Sequence, residues 1–97
     1  MAFEIILAPE AVADLKALPA RLRAAVRDGF EMHLRHEPAK TSRSRIKRLR
    51  GLRQPQYRLR VGEVRIFYDI VGSTVEILAI VAKSEAERWL SQYGEPG

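Results

Sequence analysis

The sequence predicts an α+β domain of order β-α-α-β-β-β-α, an antiparallel meander sheet with two N-terminal helices packed on one face. Three observations predict it. Apolar residues recur at helical spacing between Pro9 and His36, with Pro19 dividing them. From Tyr57 the period becomes two, broken at Gly62-Glu63 and Gly72-Ser73. A last stretch, Ser84 to Tyr93, opens on Glu85 and Glu87, acids that suit the positive end of a helix. At 97 residues the chain reads as one domain over 1–97.

Each element has a local reason. Phe3 to Ala8 is short and apolar and reads as a strand. Pro9 suits the first helical position, and Val12, Leu15 and Leu18 mark its buried side. The second helix runs from about Ala20 to His36, with Leu22, Val26, Phe30, His33 and Leu34 as its stripe. Gly29 lowers its helix propensity by about 1 kcal/mol, which points to close packing against the first helix or a strand. Ala39 to Arg45 reads as a loop, and Ile46 to Leu52 as a short strand or extended segment before Pro55. Val75 to Ala82 is apolar on both faces, as a central strand is. Ser84 is the expected N-cap of the last helix.

Charge is unevenly placed. Nine basic residues lie between Lys40 and Arg60 (Lys40, Arg43, Arg45, Lys47, Arg48, Arg50, Arg53, Arg58 and Arg60) without one Asp or Glu among them. The rest of the chain carries eight basic and twelve acidic residues. Such asymmetry points to a polyanionic partner, with RNA, DNA and an acidic protein all open. The absence of cysteine excludes a disulfide framework, a thiol nucleophile and Cys-based zinc. His33 and His36 have no third ligand in view, so no metal and no cofactor is expected. The N-terminal residues lack a secretory pattern and no apolar run is long enough for a membrane span, so the expected location is cytoplasmic.

The hairpin register concentrates the charge. With Gly62-Glu63 as the turn, Arg60 faces Arg65 and Arg58 faces Phe67. Arg58, Arg60 and Arg65 then share an open face, while Tyr57, Leu59, Val64, Ile66 and Tyr68 point toward the helices. Like charges directly opposite on a sheet cost up to about 1 kcal/mol, and a bound anion removes that cost. Asp69 facing Glu76 is a second like-charged pair. Phe67, Leu78 and Ile80 are expected beside the arginines, covered either by a protein partner or by the terminal helix.

These residues carry a resemblance. Ala8-Pro9-Glu10-Ala11 with Asp14-Leu15 and Leu18, the helix ending before Glu37-Pro38, Ile46 to Gly51, the run Tyr57 to Tyr68 and the strand Val75 to Val81 together resemble the RelE/ParE superfamily of bacterial toxin–antitoxin toxins. The likeness spans nearly the whole chain and implies a microbial RNase-like fold. It implies a cognate acidic antitoxin as partner, with operator DNA reached only through that antitoxin. For RelE-type members it implies mRNA cleavage on the ribosome. By position, Arg58 and Arg60 match the basic residues of the catalytic strand, Arg65 matches the arginine of the next strand, and Lys83 falls where many members have an arginine. They would orient the scissile phosphate and stabilise charge developing during attack by the 2′-hydroxyl.

The remaining basic residues, Lys40, Arg43, Arg45, Lys47, Arg48, Arg50 and Arg53, would bind RNA and ribosome. Trp89 stands where RelE-type members often have tyrosine. An indole cannot transfer a proton near neutral pH, but it can stack on a base, worth about 1–3 kcal/mol. Candidate bases are Glu63, Glu85, Glu87, Tyr68 and Tyr93. Phe67, Leu78 and Ile80 would meet the antitoxin. Three functions are open: a ribosome-dependent mRNA endonuclease, a ParE-like inhibitor of DNA gyrase, and a catalytically weak member acting as an antitoxin-binding co-repressor.

Overall fold

A computed structural model describes residues 2–97; Met1, the first residue of the expected domain, lies outside them. The chain runs β1 (Glu4–Leu7), α1 (Pro9–Ala17), α2 (Ala20–Gly29), a π-helical turn (Phe30–Leu34), β2 (Ile46–Arg48), β3 (Leu52–Gln54), β4 (Tyr57–Val61), β5 (Val64–Val71), β6 (Thr74–Ala82), a 3-10 turn (Lys83–Glu85), α3 (Ala86–Tyr93) and β7 (Glu95–Pro96). The α+β class and the helix–helix–meander–helix order are as expected.

The sheet has order β1-β6-β5-β4-β2, and β3 pairs with β7 in a separate two-stranded ribbon. β4, β5 and β6 form the meander, with two-residue turns at Gly62-Glu63 and Gly72-Ser73. Gly62 and Gly72 adopt φ of 57° and 60°, the left-handed region such turns require of their first residue. β1 joins β6 in parallel, so the sheet is mixed rather than wholly antiparallel. β2 makes the other edge, antiparallel to β4.

Pro19 does divide the helices, standing as N-cap of α2 directly after the α1 C-cap Leu18. Arg23 Nη1 donates to the Leu18 carbonyl at 2.8 Å, satisfying an acceptor that the end of α1 leaves unpaired. Ala11 and Leu15 of α1, Val26 of α2, and Phe30 and Leu34 pack on Leu59, Val64, Ile66, Tyr68, Val75, Ile77 and Ile80. Tyr68 stacks on Tyr57 with centroids 5.4 Å apart, and its hydroxyl donates to the Pro38 carbonyl at 2.7 Å. Gly29 packs against β4: a Cβ there would lie 2.9 Å from Val61 Cγ2.

One local expectation is corrected. Ser84 makes no capping hydrogen bond; the last helix is entered through the 3-10 turn that begins at Lys83. The stretch Ala39 to Arg45 is a loop as expected, and its end is tied down: Arg60 N–H donates to the Arg45 carbonyl at 2.9 Å and Ser42 Oγ accepts from the N–H groups of Arg45 and Ile46.

Candidate nucleic-acid interface

The register is as the turns require: Arg60 opposite Arg65, Arg58 opposite Phe67 and Asp69 opposite Glu76. β2 adds Lys47 opposite Arg58, and Arg45 lies beside Arg60 at the start of β2. Residues paired across strands share a face. Four cations from three adjacent strands therefore stand on the sheet face turned away from α1 and α2: Lys47, Arg58, Arg60 and Arg65.

They are not equivalent. Arg65 is buried at 7% exposure, and its Nη1 donates to the carbonyls of Gly62 at 2.8 Å and Val64 at 3.1 Å. Its expected open position is thus corrected: the guanidinium ties the hairpin turn and projects its charge from below. Arg58 and Arg60 are half-buried, and their Nε atoms are buried without a hydrogen-bond partner. Unpaired buried donors are costly, about 1–3 kcal/mol each. Burial, then the charges of Arg65 and Arg60, hold the Arg58 guanidinium below its usual pKa. A phosphate would supply acceptors and opposite charge together.

The other basic residues scatter. Arg48 faces the helix side, with its guanidinium carbon 5.0 Å from the centroid of the Tyr57 ring. Arg53 is ion-paired with Glu95 of β7 at 2.5 Å, and Lys40 lies 3.8 Å from Glu37. Arg43 and Arg50 are exposed on connecting segments. Lys83 is exposed, and its N–H donates to the Glu63 carbonyl at 2.8 Å, which places it at the hairpin turn below Arg65.

The expected apolar patch beside the arginines is absent, for two reasons. Phe67 is fully buried, stacked on Trp89 of α3 at 4.9 Å and 7°. The terminal helix is therefore its cover, and Trp89 presents one ring face to Phe67. Ile80 is buried in the helix-side core because β5–β6 pairing slips: Phe67 pairs with Ala79 but Tyr68 with Ile77. Leu78 is the extra residue of a bulge, and a bulge reverses side-chain parity beyond it. Leu78 stays half-buried at the sheet margin.

Several candidate bases are committed elsewhere. The Tyr68 hydroxyl is buried on the helix side, and burial raises its pKa. Glu85 is paired with Arg88. Asp69 is buried, accepting from Gln54 Nε2 at 2.6 Å and the Gln56 N–H at 2.8 Å, so its place opposite Glu76 is that of a hub tying β3 and the β3–β4 link to β5. His33 borders a cleft with Arg45; burial, then the Arg45 charge, lowers its pKa. Nothing in its sequence neighbourhood signalled that approach, since Arg45 comes from across a loop. Among the described residues no group of three or more His, Asp or Glu could hold a metal, and no helix is long and apolar enough to cross a membrane.

Comparison with known proteins bears on this geometry. Residues 5–87 match the family model described as ParE toxin of type II toxin–antitoxin system, parDE. No curated protein sequence matches. The chain is similar to one in the toxin–antitoxin complex RelBE2 of Mycobacterium tuberculosis, at 30% identity and TM-score 0.63, covering 84% of this chain and 99% of that one. It shares its fold with a chain of the RelB–RelE antitoxin–toxin complex of Methanococcus jannaschii (22% identity, TM-score 0.64, 87% and 96% covered). It also shares it with a mutant of the Escherichia coli toxin RelE in the free state (19% identity, TM-score 0.72, 94% and 93% covered).

Proposed function

Because the chain belongs to the ParE family of type II toxin–antitoxin toxins, we propose that its β2–β4–β5 face binds the RNA backbone and that it inhibits translation by cleaving mRNA on the ribosome. The observation that carries this reading is the pair of partnerless Arg58 and Arg60 Nε atoms on one rigid strand, backed by the buried Arg65. A fold gains nothing from such a pair in isolation. Two forks held 2 residues apart on a strand suit adjacent oxygens of one phosphate.

In this reading Arg58 and Arg60 bind the scissile phosphate, and they stabilise the charge that grows on its non-bridging oxygens as the 2′-hydroxyl, giving its proton to solvent, attacks phosphorus and the P–O5′ bond breaks, leaving a 2′,3′-cyclic phosphate and a 5′-hydroxyl protonated from solvent. Arg65 fixes the turn and adds field. Lys47 and Lys83 extend the cationic track as point charges on flanking phosphates. Arginine is a poor proton carrier near neutral pH, so the arginines supply orientation and electrostatics, and the ribosome completes the alignment. The antitoxin is the partner that covers this face when the toxin is silent. Operator DNA is contacted through the antitoxin.

A second reading is gyrase inhibition without chemistry. It is favoured by the engagement of Tyr68 with Pro38 and of Glu85 with Arg88, which removes two candidate bases. Expression of wild type and an Arg58→Ala/Arg60→Ala variant, with primer extension on a translated message, separates the two. In-frame cuts lost in the variant support mRNA cleavage. Growth arrest with intact mRNA and stalled gyrase–DNA breaks establishes the second reading instead.

A further inference from the structure

A cleft of about 590 Å³ lies at the open edge of β6, between α1 and α3. Its character is opposite to that of the arginine face. One wall carries Glu10 and Asp14, one helical turn apart on α1. The other carries Trp89 and Tyr93, one turn apart on α3, their rings tilted at 42° with centroids 5.4 Å apart. Leu78 and Val81 of β6 line it between them. Among the described residues neither acid belongs to an ion pair. Asp14 Oδ2 accepts from the Ile80 N–H at 3.0 Å, which sets its carboxylate against β6.

The location explains why the cleft is open. β1 ends at Leu7 opposite Ile77, so the second half of β6 has no strand on that side. The Leu78 bulge falls where that cover stops. Trp89, stacked on Phe67, stands between the cleft and Arg58, which pairs with Phe67 on the same sheet face. The two surfaces are therefore neighbours of opposite character, the cleft at the β6 edge and the arginines over β4 and β5.

We propose that the α1–α3 cleft docks a segment of a partner protein that inserts an arginine flanked by apolar side chains. Two carboxylates repel a phosphate or an acidic segment, so nucleic acid does not fit. A guanidinium forks onto carboxylates and stacks on an indole face. Apolar neighbours then cover Leu78 and Val81. The inference goes beyond the phosphate reading of the arginine face and does not depend on it.

Trp89 is the only tryptophan in the chain and reports directly on the cleft. The full chain is titrated with the blocked peptide acetyl-Leu-Arg-Leu-amide while Trp89 fluorescence is followed. Acetyl-Leu-Glu-Leu-amide is the comparator, and Glu10→Gln and Asp14→Asn are the variants. Asparagine keeps an oxygen for the Ile80 N–H, and thermal melts confirm the fold. A saturable response to the arginine peptide is expected, about fivefold weaker in either variant, the scale of one partly exposed ion pair. The glutamate peptide gives none. Equal response to both peptides, unchanged affinity in both variants, or no response overturns the proposal. A Trp89 change that depends on protein concentration without peptide also overturns it, by assigning the cleft to a second copy. Arg58 and Arg60 are untouched throughout, so failure here leaves the phosphate reading standing.

Discussion

Replacing Gly29 by alanine sets two effects of opposite sign against each other. The residue sits at φ −60° and ψ −40°, ordinary helical backbone, so nothing in its conformation calls for glycine. On propensity alone alanine gains about 1 kcal/mol. The space, however, is occupied: the new Cβ would be 2.9 Å from Val61 Cγ2 and 3.8 Å from Leu59 Cδ2. Carbon atoms prefer about 3.5–4.0 Å, so Val61 must retreat by more than half an ångström. A β-branched side chain has little rotamer freedom with which to do so. Overpacking of this kind costs about 1–3 kcal/mol. The net expectation is a loss of about 1 kcal/mol, read as a melting temperature lower by about 4–8 °C for a chain this size. In a Val61→Ala background the obstruction is gone, and Gly29→Ala should stabilise by about 1 kcal/mol. The assay is chemical denaturation of the four proteins of the cycle. If Gly29→Ala stabilises both backgrounds equally, the close approach of α2 to β4 plays no part and the reasoning is refuted.

Four further outcomes follow from the same contacts. Asp69→Ala leaves the Gln54 amide and Gln56 N–H without their acceptor, so denaturation should show a loss of about 2–4 kcal/mol. Tyr68→Phe removes only the bond to the Pro38 carbonyl and should cost about 1–2 kcal/mol by the same assay. Arg60→Met relieves the like charge opposite Arg65, so it should leave stability unchanged or raise it by up to about 1 kcal/mol while RNA binding falls. The folded-state pKa of His33 is lowered, so its contribution is full above the unfolded value and is lost as pH falls below it; denaturation between pH 7 and pH 5 should show a smaller loss in His33→Gln than in wild type.

The hairpin at Gly62-Glu63, and with it the pairing of Arg60 with Arg65, was legible because glycine at a two-residue turn and strict alternation specify register together. The break at Pro19 was legible for the same local reason. What failed was non-local. Ile77-Leu78-Ala79-Ile80 is apolar throughout, so alternation carries no signal there, and the bulge that buries Ile80 could not be read. Arg65 looked like its neighbours in sequence, yet the turn carbonyls of Gly62 and Val64 claim it. Trp89 finds Phe67 only once α3 folds back. Arg53 lost its place in the basic window to Glu95, some forty residues away, through a two-residue strand too short to leave a pattern. That Glu10 and Asp14 share a cleft with Trp89 and Tyr93 is visible only where α1 meets α3.

The central claim is that Arg58 and Arg60 bind phosphate. It is tested most directly by the salt dependence of binding to a short single-stranded RNA, for wild type and Arg58→Ala/Arg60→Ala. Each phosphate neutralised on a single strand contributes about 0.7 to the slope of log affinity against log salt. The account predicts that the double substitution weakens binding and lowers the magnitude of that slope by about 1.4, two contacts' worth. An unchanged slope would contradict it and leave the cationic face without the role assigned to it.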